Sequence, residues 1–478
     1  MKTLTWLFFT VIFLTTGCRS PVDVEKIYMQ AEKEFIDGNL DSAMVLLDSI
    51  KHSGSSGKIL KGKADSLYRM AERTYIDFSL TEEQVYEELN KTIGEYSNEE
   101  LSLWEENNWL EYRIIDAKKM YFNRAVSNLE LLKSFHLHRA ARDTLEAGKE
   151  LALFLKKHSR SVINESGREH MPVVPVEMLV NYTLSVHPNA VPEGEVVKCW
   201  LPWPKGNHSR QQEVRFISAS GDNYLISADS MIHRSIYMEA IAEKDKAVVF
   251  KASFSYTSCG QYFDPESIEI MPYKEASELY RKYTSEQLPH IKFSEELKLL
   301  ADSIAGEEDD PLITLRKFYY WINSNIPWAG AIEYSLMPDI SGYVLENRRG
   351  DCGMQTFLLM SMLRYRGIPV RWQSGWMMHP GNENLHDWCE VYFEGTGWVP
   401  VDISFGLQYS DNTATREFYM SGIDSYRLIV NDGVAGSFYP PKKYIRSEPN
   451  DFQRGEVEWS GGNLYFDSWD YNMEITYK

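Results

Sequence analysis

Three side chains in the second half of the sequence have the types and order of a thiol acyl-transfer site: Cys352, His386 and Asp402. Cys352 stands in Arg349-Gly350-Asp351-Cys352-Gly353, just before the apolar run Phe357-Leu358-Leu359-Met360. A sulfur at the start of a helix faces unpaired backbone N–H groups. These favour its ionised form and can also hold the oxyanion of a tetrahedral intermediate. The thiol needs an imidazole to take its proton and return it to a leaving amine. His386 opens the stretch Leu385-His386-Asp387-Trp388-Cys389-Glu390-Val391-Tyr392-Phe393. The imidazole in turn needs a partner on its other nitrogen. Asp402, closing Gly397-Trp398-Val399-Pro400-Val401-Asp402, can supply it.

The elements that must position these groups are legible around them. Met354–Arg366 is apolar on nearly every side, which predicts a buried helix ending at Gly367. Alternation after His386 predicts a strand, and Trp398–Asp402 predicts its neighbour. A three-residue Gly395-Thr396-Gly397 hairpin pairs Asp402 with Glu390 and leaves His386 four residues, about 13 Å, further along. A bulge or longer irregular turn must then close the gap. Asp387 adjoins His386 but points to the other face, and is a second candidate orienter. Glu390 reads as a structural or substrate-side carboxylate, and Arg371 as an ion-pair partner or a substrate clamp. Cys389 packs on the face opposite His386, and His379 falls in a flexible loop. Ligand types alone also allow zinc at Cys352, His379, His386 and Cys389, without a familiar spacing to support it.

The blocks Gly350-Asp351-Cys352, Gly367-Ile368-Pro369-Val370-Arg371, His386-Asp387-Trp388-Cys389-Glu390-Val391-Tyr392 and Gly397-Trp398-Val399-Pro400-Val401-Asp402 resemble the transglutaminase-like superfamily. Its pattern is G-x-C, G-I-P-x-R, H-x-W-x-E-V-Y and G-W-x-x-x-D, here in that order. The likeness is tight over 350–402 and looser back to about residue 290. It implies a papain-like fold with Cys352 as nucleophile, His386 as base and Asp402 as orienter. It also implies that Trp388 and Trp398 wall the site; some members use an upstream aromatic N–H as auxiliary oxyanion donor, and Trp328, in Asn325-Ile326-Pro327-Trp328, is the candidate for it here. No metal or cofactor is implied, and no acidic loop with EF-hand spacing suggests calcium.

The rest of the chain frames this site. Of 478 residues, 50 are Lys or Arg and 69 Asp or Glu, a net charge of −19 that disfavours nucleic acid as a partner. Five cysteines without a CxxC pair are not a disulfide framework; Cys199 and Cys259 read as two buried thiols or one bridge. Residues 1–18 read as a lipoprotein signal, with Leu14-Thr15-Thr16-Gly17-Cys18 like a lipobox and Cys18 the lipidated residue. That predicts a protein of the cell envelope, anchored to a membrane by acyl chains. Residues 22–160 predict a helical domain. A helix–Gly38-Asn39–helix unit there resembles half of a tetratricopeptide-like repeat, a docking face for a protein partner. Helical order is expected to continue through Leu101–Lys157. Ser159–Pro175 reads as a linker, 176–272 as a β-sandwich-like module, 274–410 as the catalytic domain and 411–478 as a β-rich extension. Helices are expected at Lys274–Thr284, Ser294–Ala305 and Pro311–Asn325, the last capped by Asp310. The fold class is α+β. The predicted activity is a thiol acyltransferase or hydrolase acting on an amide of a protein, peptide or glycopeptide. A non-catalytic binding scaffold with the same fold is the alternative.

Overall fold

The computed structural model describes residues 24–478 except 55, 138–145 and 168. Cys18 and the lipobox lie outside the described residues. Among the described residues, no helix is long and apolar enough to cross a membrane.

The chain divides into two compact units, residues up to Tyr75 with Arg113–Lys119, and Ile76–Tyr112 with Met120–Lys478. In the first, helices Val24–Ile36 and Leu40–His52 meet across Gly38 at φ +81°, and Ala31, Leu47, Ile50 and Ala64 form a buried core. A Cβ at Gly38 would lie 2.2 Å from the Ile114 carbonyl oxygen, so glycine is required there for space as well as for φ.

Two expectations for this half need correction. The helical order predicted through Leu101–Lys157 is broken by strands Tyr112–Ile115 and Lys118–Tyr121, because Asp116 and Ala117 take positive φ and turn the chain sharply. Ser159–Pro175 is not a linker for most of its length. The helix Glu146–Ser166 runs through Ser159 and ends at Gly167, φ +58°, and a strand starts at Val173. Val162 keeps that helix in place: it is fully buried, and a Cβ at Gly260 would come within 2.6 Å of it.

The second unit is α+β. Val173–Val186 pairs with Val248–Tyr262 on one side and with Trp469–Tyr477, at the end of the chain, on the other. A second sheet runs in the order Gly462–Leu464, Glu456–Trp459, Val196–Pro202, Ser235–Ile241, Tyr224–Ile226. Alternate residues Met178, Val180, Tyr182 and Leu184 join Phe250, Trp200, Ile236 and Val457 in one buried core. Cys199 and Cys259 are buried free thiols.

A four-stranded antiparallel sheet carries the expected site, in the order Gly397–Val401, Asn384–Phe393, Val370–Met377, Arg427–Asn431. The helix Cys352–Tyr365 packs on it, buried from Gly353 through Arg364. Phe357 stacks on Trp372 of the sheet at 4.5 Å between ring centroids. Ahead of it, Asp310 caps Pro311–Asn325 by accepting from the amides of Leu312 and Ile313.

The register corrects the predicted turn. Phe393 pairs with Gly397 and Cys389 with Val401, so the loop is Glu394-Gly395-Thr396. Asp402 therefore comes level with Trp388 instead of Glu390, two residues from His386, roughly 7 Å along the strand. Register alone closes half the gap, with no bulge between these two strands.

Candidate active site

Asp351 caps the helix Cys352–Tyr365. Its Oδ1 accepts from the Met354 amide at 3.0 Å and from the Tyr334 hydroxyl at 2.6 Å. Upstream, Gly350 bridges to Trp328, which is 42% exposed and lines the same cleft as Cys352. A Cβ at Gly353 would lie 2.1 Å from the Tyr334 hydroxyl and 2.7 Å from Asp387 Oδ2, so glycine lets both groups close on the helix start.

The thiol's hydrogen-bond partner is Asp387: Cys352 Sγ donates to Oδ2 at 3.5 Å. This corrects the expectation of a thiolate favoured by the helix start. Burial, then the charges of Asp387 and Asp351, push the thiol well above its usual range, and the backbone amide of Asp387 offsets this only in part. In this conformation Cys352 is a neutral thiol.

His386 and Asp402 are joined. Nε2 lies 2.7 Å from Asp402 Oδ2. Burial lowers the imidazole's pKa despite the neighbouring carboxylate, so the ring is neutral. Nε2 then carries the proton donated to Asp402, which leaves Nδ1 as a lone-pair acceptor. Trp388 stacks beside the ring at 5.9 Å and Phe405 meets it edge-on at 4.9 Å. Trp388 itself is anchored by Nε1 to Gln373 Oε1 at 2.6 Å. His386 is 4% exposed, between Leu385 and Asp387, which both line a cleft of about 210 Å³ with Cys352.

Asp402 is held from four directions. Besides His386, its Oδ2 accepts from Arg427 Nη1 at 2.8 Å, and its Oδ1 accepts from the amides of Ser404 and Phe405 at 3.1 and 3.0 Å. Burial works to raise this carboxyl, but the imidazole and the Arg427 guanidinium bring it below the usual range. Arg427 was not foreseen. Its Nη2 also binds Asp424 Oδ2 at 2.6 Å, and Asp424 Oδ1 lies 3.0 Å from His379 Nε2. His379, expected in a flexible loop, is fully buried in this network. The one sequence signal was an arginine inside the apolar strand Arg427-Leu428-Ile429-Val430.

The other candidates are placed as follows. Asp387 does point to the face opposite His386, and that face is the one the Cys352 helix covers; it is no orienter for the imidazole. Glu390 is buried and bound by Arg371 Nε at 2.7 Å and by Arg210 Nη2 at 2.8 Å. Burial would raise its carboxyl, but Arg371, His208 and Arg210 hold it well below the usual range. Arg371 is thus an ion-pair partner of Glu390. Cys389 Sγ faces the Val401 carbonyl at 3.7 Å, and the four suggested zinc ligands do not converge. Among the described residues, no group of three or more His, Cys, Asp or Glu could hold a metal ion. Sequence reasoning also missed Gln453, whose Nε2 donates to the His386 carbonyl at 3.0 Å and to Asp387 Oδ1 at 2.8 Å.

Residues 298–403 match the family model of the transglutaminase-like superfamily. This stretch is a transglutaminase-like domain. The uncharacterized protein YebA of Bacillus subtilis is 26% identical over 99 residues, which cover 18% of this chain and 13% of YebA. The chain therefore matches only about an eighth of that relative's length. Two solved structures are also similar. A Cytophaga hutchinsonii protein provisionally named a cysteine protease has TM-score 0.44 and 13% identity, covering 64% of this chain and 92% of its own. The periplasmic domain of TgpA from Pseudomonas aeruginosa has TM-score 0.25 and 14% identity, covering 52% and 91%. The transglutaminase-like match ends at 403, so Arg427 and Gln453, which bind His386, Asp402 and Asp387, come from the chain beyond it.

Proposed function

We propose that the protein is a thiol acyltransferase or hydrolase that opens amide bonds of a protein, peptide or glycopeptide through an acyl-enzyme on Cys352. The observation that carries this is the 2.7 Å contact of His386 Nε2 with Asp402. It fixes the tautomer that a general base needs, with Nδ1 unprotonated and next in sequence to the residue the thiol touches. In this reading the thiol proton passes to Nδ1 after a rearrangement that takes Sγ from Asp387 on one strand face to the imidazole on the other. The thiolate attacks the substrate carbonyl, and amides at the helix start with the Trp328 side chain receive the oxyanion. His386 returns the proton to the departing amine. Water then yields an acid, or a second amine yields a new amide.

A peptide library read by mass spectrometry tests this reading. Cross-linking loses ~17 Da per bond, whereas hydrolysis of the amide adds ~18 Da across the products. No product of either kind from any peptide, with the folded protein in excess, would sink it. The binding-scaffold reading draws support from one observation, that the resting thiol bonds to Asp387 and not to the imidazole.

The N-terminal sequence supports export and lipid anchoring at Cys18. Cys18→Ser is expected to move the protein from the membrane to the soluble fraction of a cell lysate. An unchanged membrane fraction would remove the anchor.

A further inference from the structure

We propose that Asp387 and Asp451 are a proton-sharing carboxyl pair that touches the Cys352 sulfur and sets the pH at which that sulfur becomes a nucleophile. The inference rests on Cys352 being the nucleophile of the proposed reaction. Asp387 Oδ2 lies 3.5 Å from Sγ. Asp387 and Asp451 are 3% and 6% exposed, line one cleft with Cys352, and stand within side-chain hydrogen-bond reach of each other. Two carboxylates only accept, so a bond at that reach requires a proton between them. Gln453 Nε2 donates to Asp387 Oδ1 at 2.8 Å and fixes the carboxyl's plane.

The surroundings keep the proton there. Facing Asp387 and the thiol are Asp351 and Tyr334 at the helix start and, further off, Asp402. Around Asp451 stand Glu448, Arg454 and Arg446. Both arginines lower the Asp451 carboxyl, but by less than burial and Glu448 raise it, and both are shared: Arg454 binds Glu448 at 2.6 Å and Glu333 at 3.1 Å, and Arg446 reaches Glu456 at 3.4 Å and the Asp451 backbone carbonyl. Burial and like charge therefore push both members of the pair upward, burial being the larger cause.

One shared proton leaves the pair with a single charge, so the Asp387 carboxyl beside the sulfur is neutral for part of the time. Loss of that proton places a full charge 3.5 Å from Sγ and holds the thiol protonated. The pair thus acts on Cys352 from the face opposite His386. The two bases compete for one thiol proton, and only transfer to the imidazole leads to attack.

The two members are expected to answer substitution in opposite directions. Asp387→Asn removes the charge facing the sulfur, so alkylation of Cys352 by iodoacetamide at pH 7 should become about tenfold faster, with its pH midpoint moved down. Asp451→Asn removes the like charge that keeps Asp387 protonated. Burial still holds Asp387 up, but without that charge, and with the Asn amide as a donor, it ionises at lower pH than in the wild type, so alkylation at pH 7 should become about tenfold slower, with the midpoint moved up. Shifts in the same direction, or none, overturn the proposal; a merely structural pair would give that result. The wild-type chain supplies a second reading that does not depend on either variant folding. Its alkylation rate against pH should need two ionisations, those of the thiol and of the pair, and a single-step profile overturns the proposal. Alkylation needs no substrate. Opposite shifts without any turnover would leave the pair standing and sink the enzyme reading; turnover with parallel shifts would do the reverse.

Discussion

Cys352→Ala is expected to lose turnover by a factor on the order of 10⁴–10⁶, the range seen when a covalent nucleophile is removed, while the chain keeps its fold. The second half of that statement follows from how little the side chain holds. Sγ makes one long contact, to Asp387. The helix start depends on other groups: Asp351 caps it, and Thr356 Oγ1 donates to the Cys352 carbonyl, which alanine retains. The stability cost should therefore stay below about 1 kcal/mol, an ordinary value for a substitution that opens no large cavity. Steady-state assay with the best library peptide, together with a urea melt, checks both parts. Turnover within tenfold of wild type would remove the covalent mechanism. Loss of the folded transition would show that Cys352 is structural.

The largest stability effect is expected at Arg427. Its guanidinium bridges Asp402 and Asp424, all three fully buried or nearly so, with contacts of 2.8 and 2.6 Å. Burial lowers the guanidinium's affinity for its proton, but the two carboxylates raise it further than burial lowers it. Arg427→Leu strands two buried carboxylates, and breaking a buried pair from one side costs about 3–5 kcal/mol. The pH dependence has a definite sign. In the wild type both carboxyls sit below their usual range. They add stability that is present above the unfolded value of ~3.9 and lost as pH falls through the folded values. Without the guanidinium, burial raises them, so the folded variant prefers them protonated. The deficit should be full at pH 7 and shrink towards pH 4. Urea midpoints at both pH values test this; a deficit that grows on acidification would refute the bridging role. Turnover should fall as well, since Asp402 loses one of its four donors.

The site was legible where local sequence carries the geometry. Asp351 before Cys352 and Gly367 after the helix are local signals, as is the alternation from His386 to Glu390. The turn misled by one residue at each end because Glu394, Gly395, Thr396 and Gly397 all suit a loop. Choosing which three form it depends on the partner Asn384–Phe393 meets on its other side. Asp387 was placed on the right face of its strand, but sequence alone did not say that the helix covers that face. Arg427, Gln453 and Asp451 were invisible for a different reason: each reaches the site from 25 to 67 residues beyond its partner, as in Arg427 to Asp402 and Gln453 to His386. No spacing rule spans such gaps. The hairpin at Asp116-Ala117 was missed because neither residue advertises positive φ as glycine does.

The strand Val173–Val186 has a consequence for how the molecule comes into being. Its two neighbours are Val248–Tyr262 and Trp469–Tyr477, so one flank is satisfied early and the other waits for a strand made much later. Val370–Met377 likewise waits for Arg427–Asn431. Pairings so distant in sequence form slowly, and an unpaired flank invites association with other chains until they do. An emerging or truncated polypeptide that stops near residue 403 would therefore carry Cys352, His386 and Asp402 while leaving one flank of Val370–Met377 as a bare edge. The sheet that holds His386 is thereby completed by a strand that follows both His386 and Asp402 in the chain.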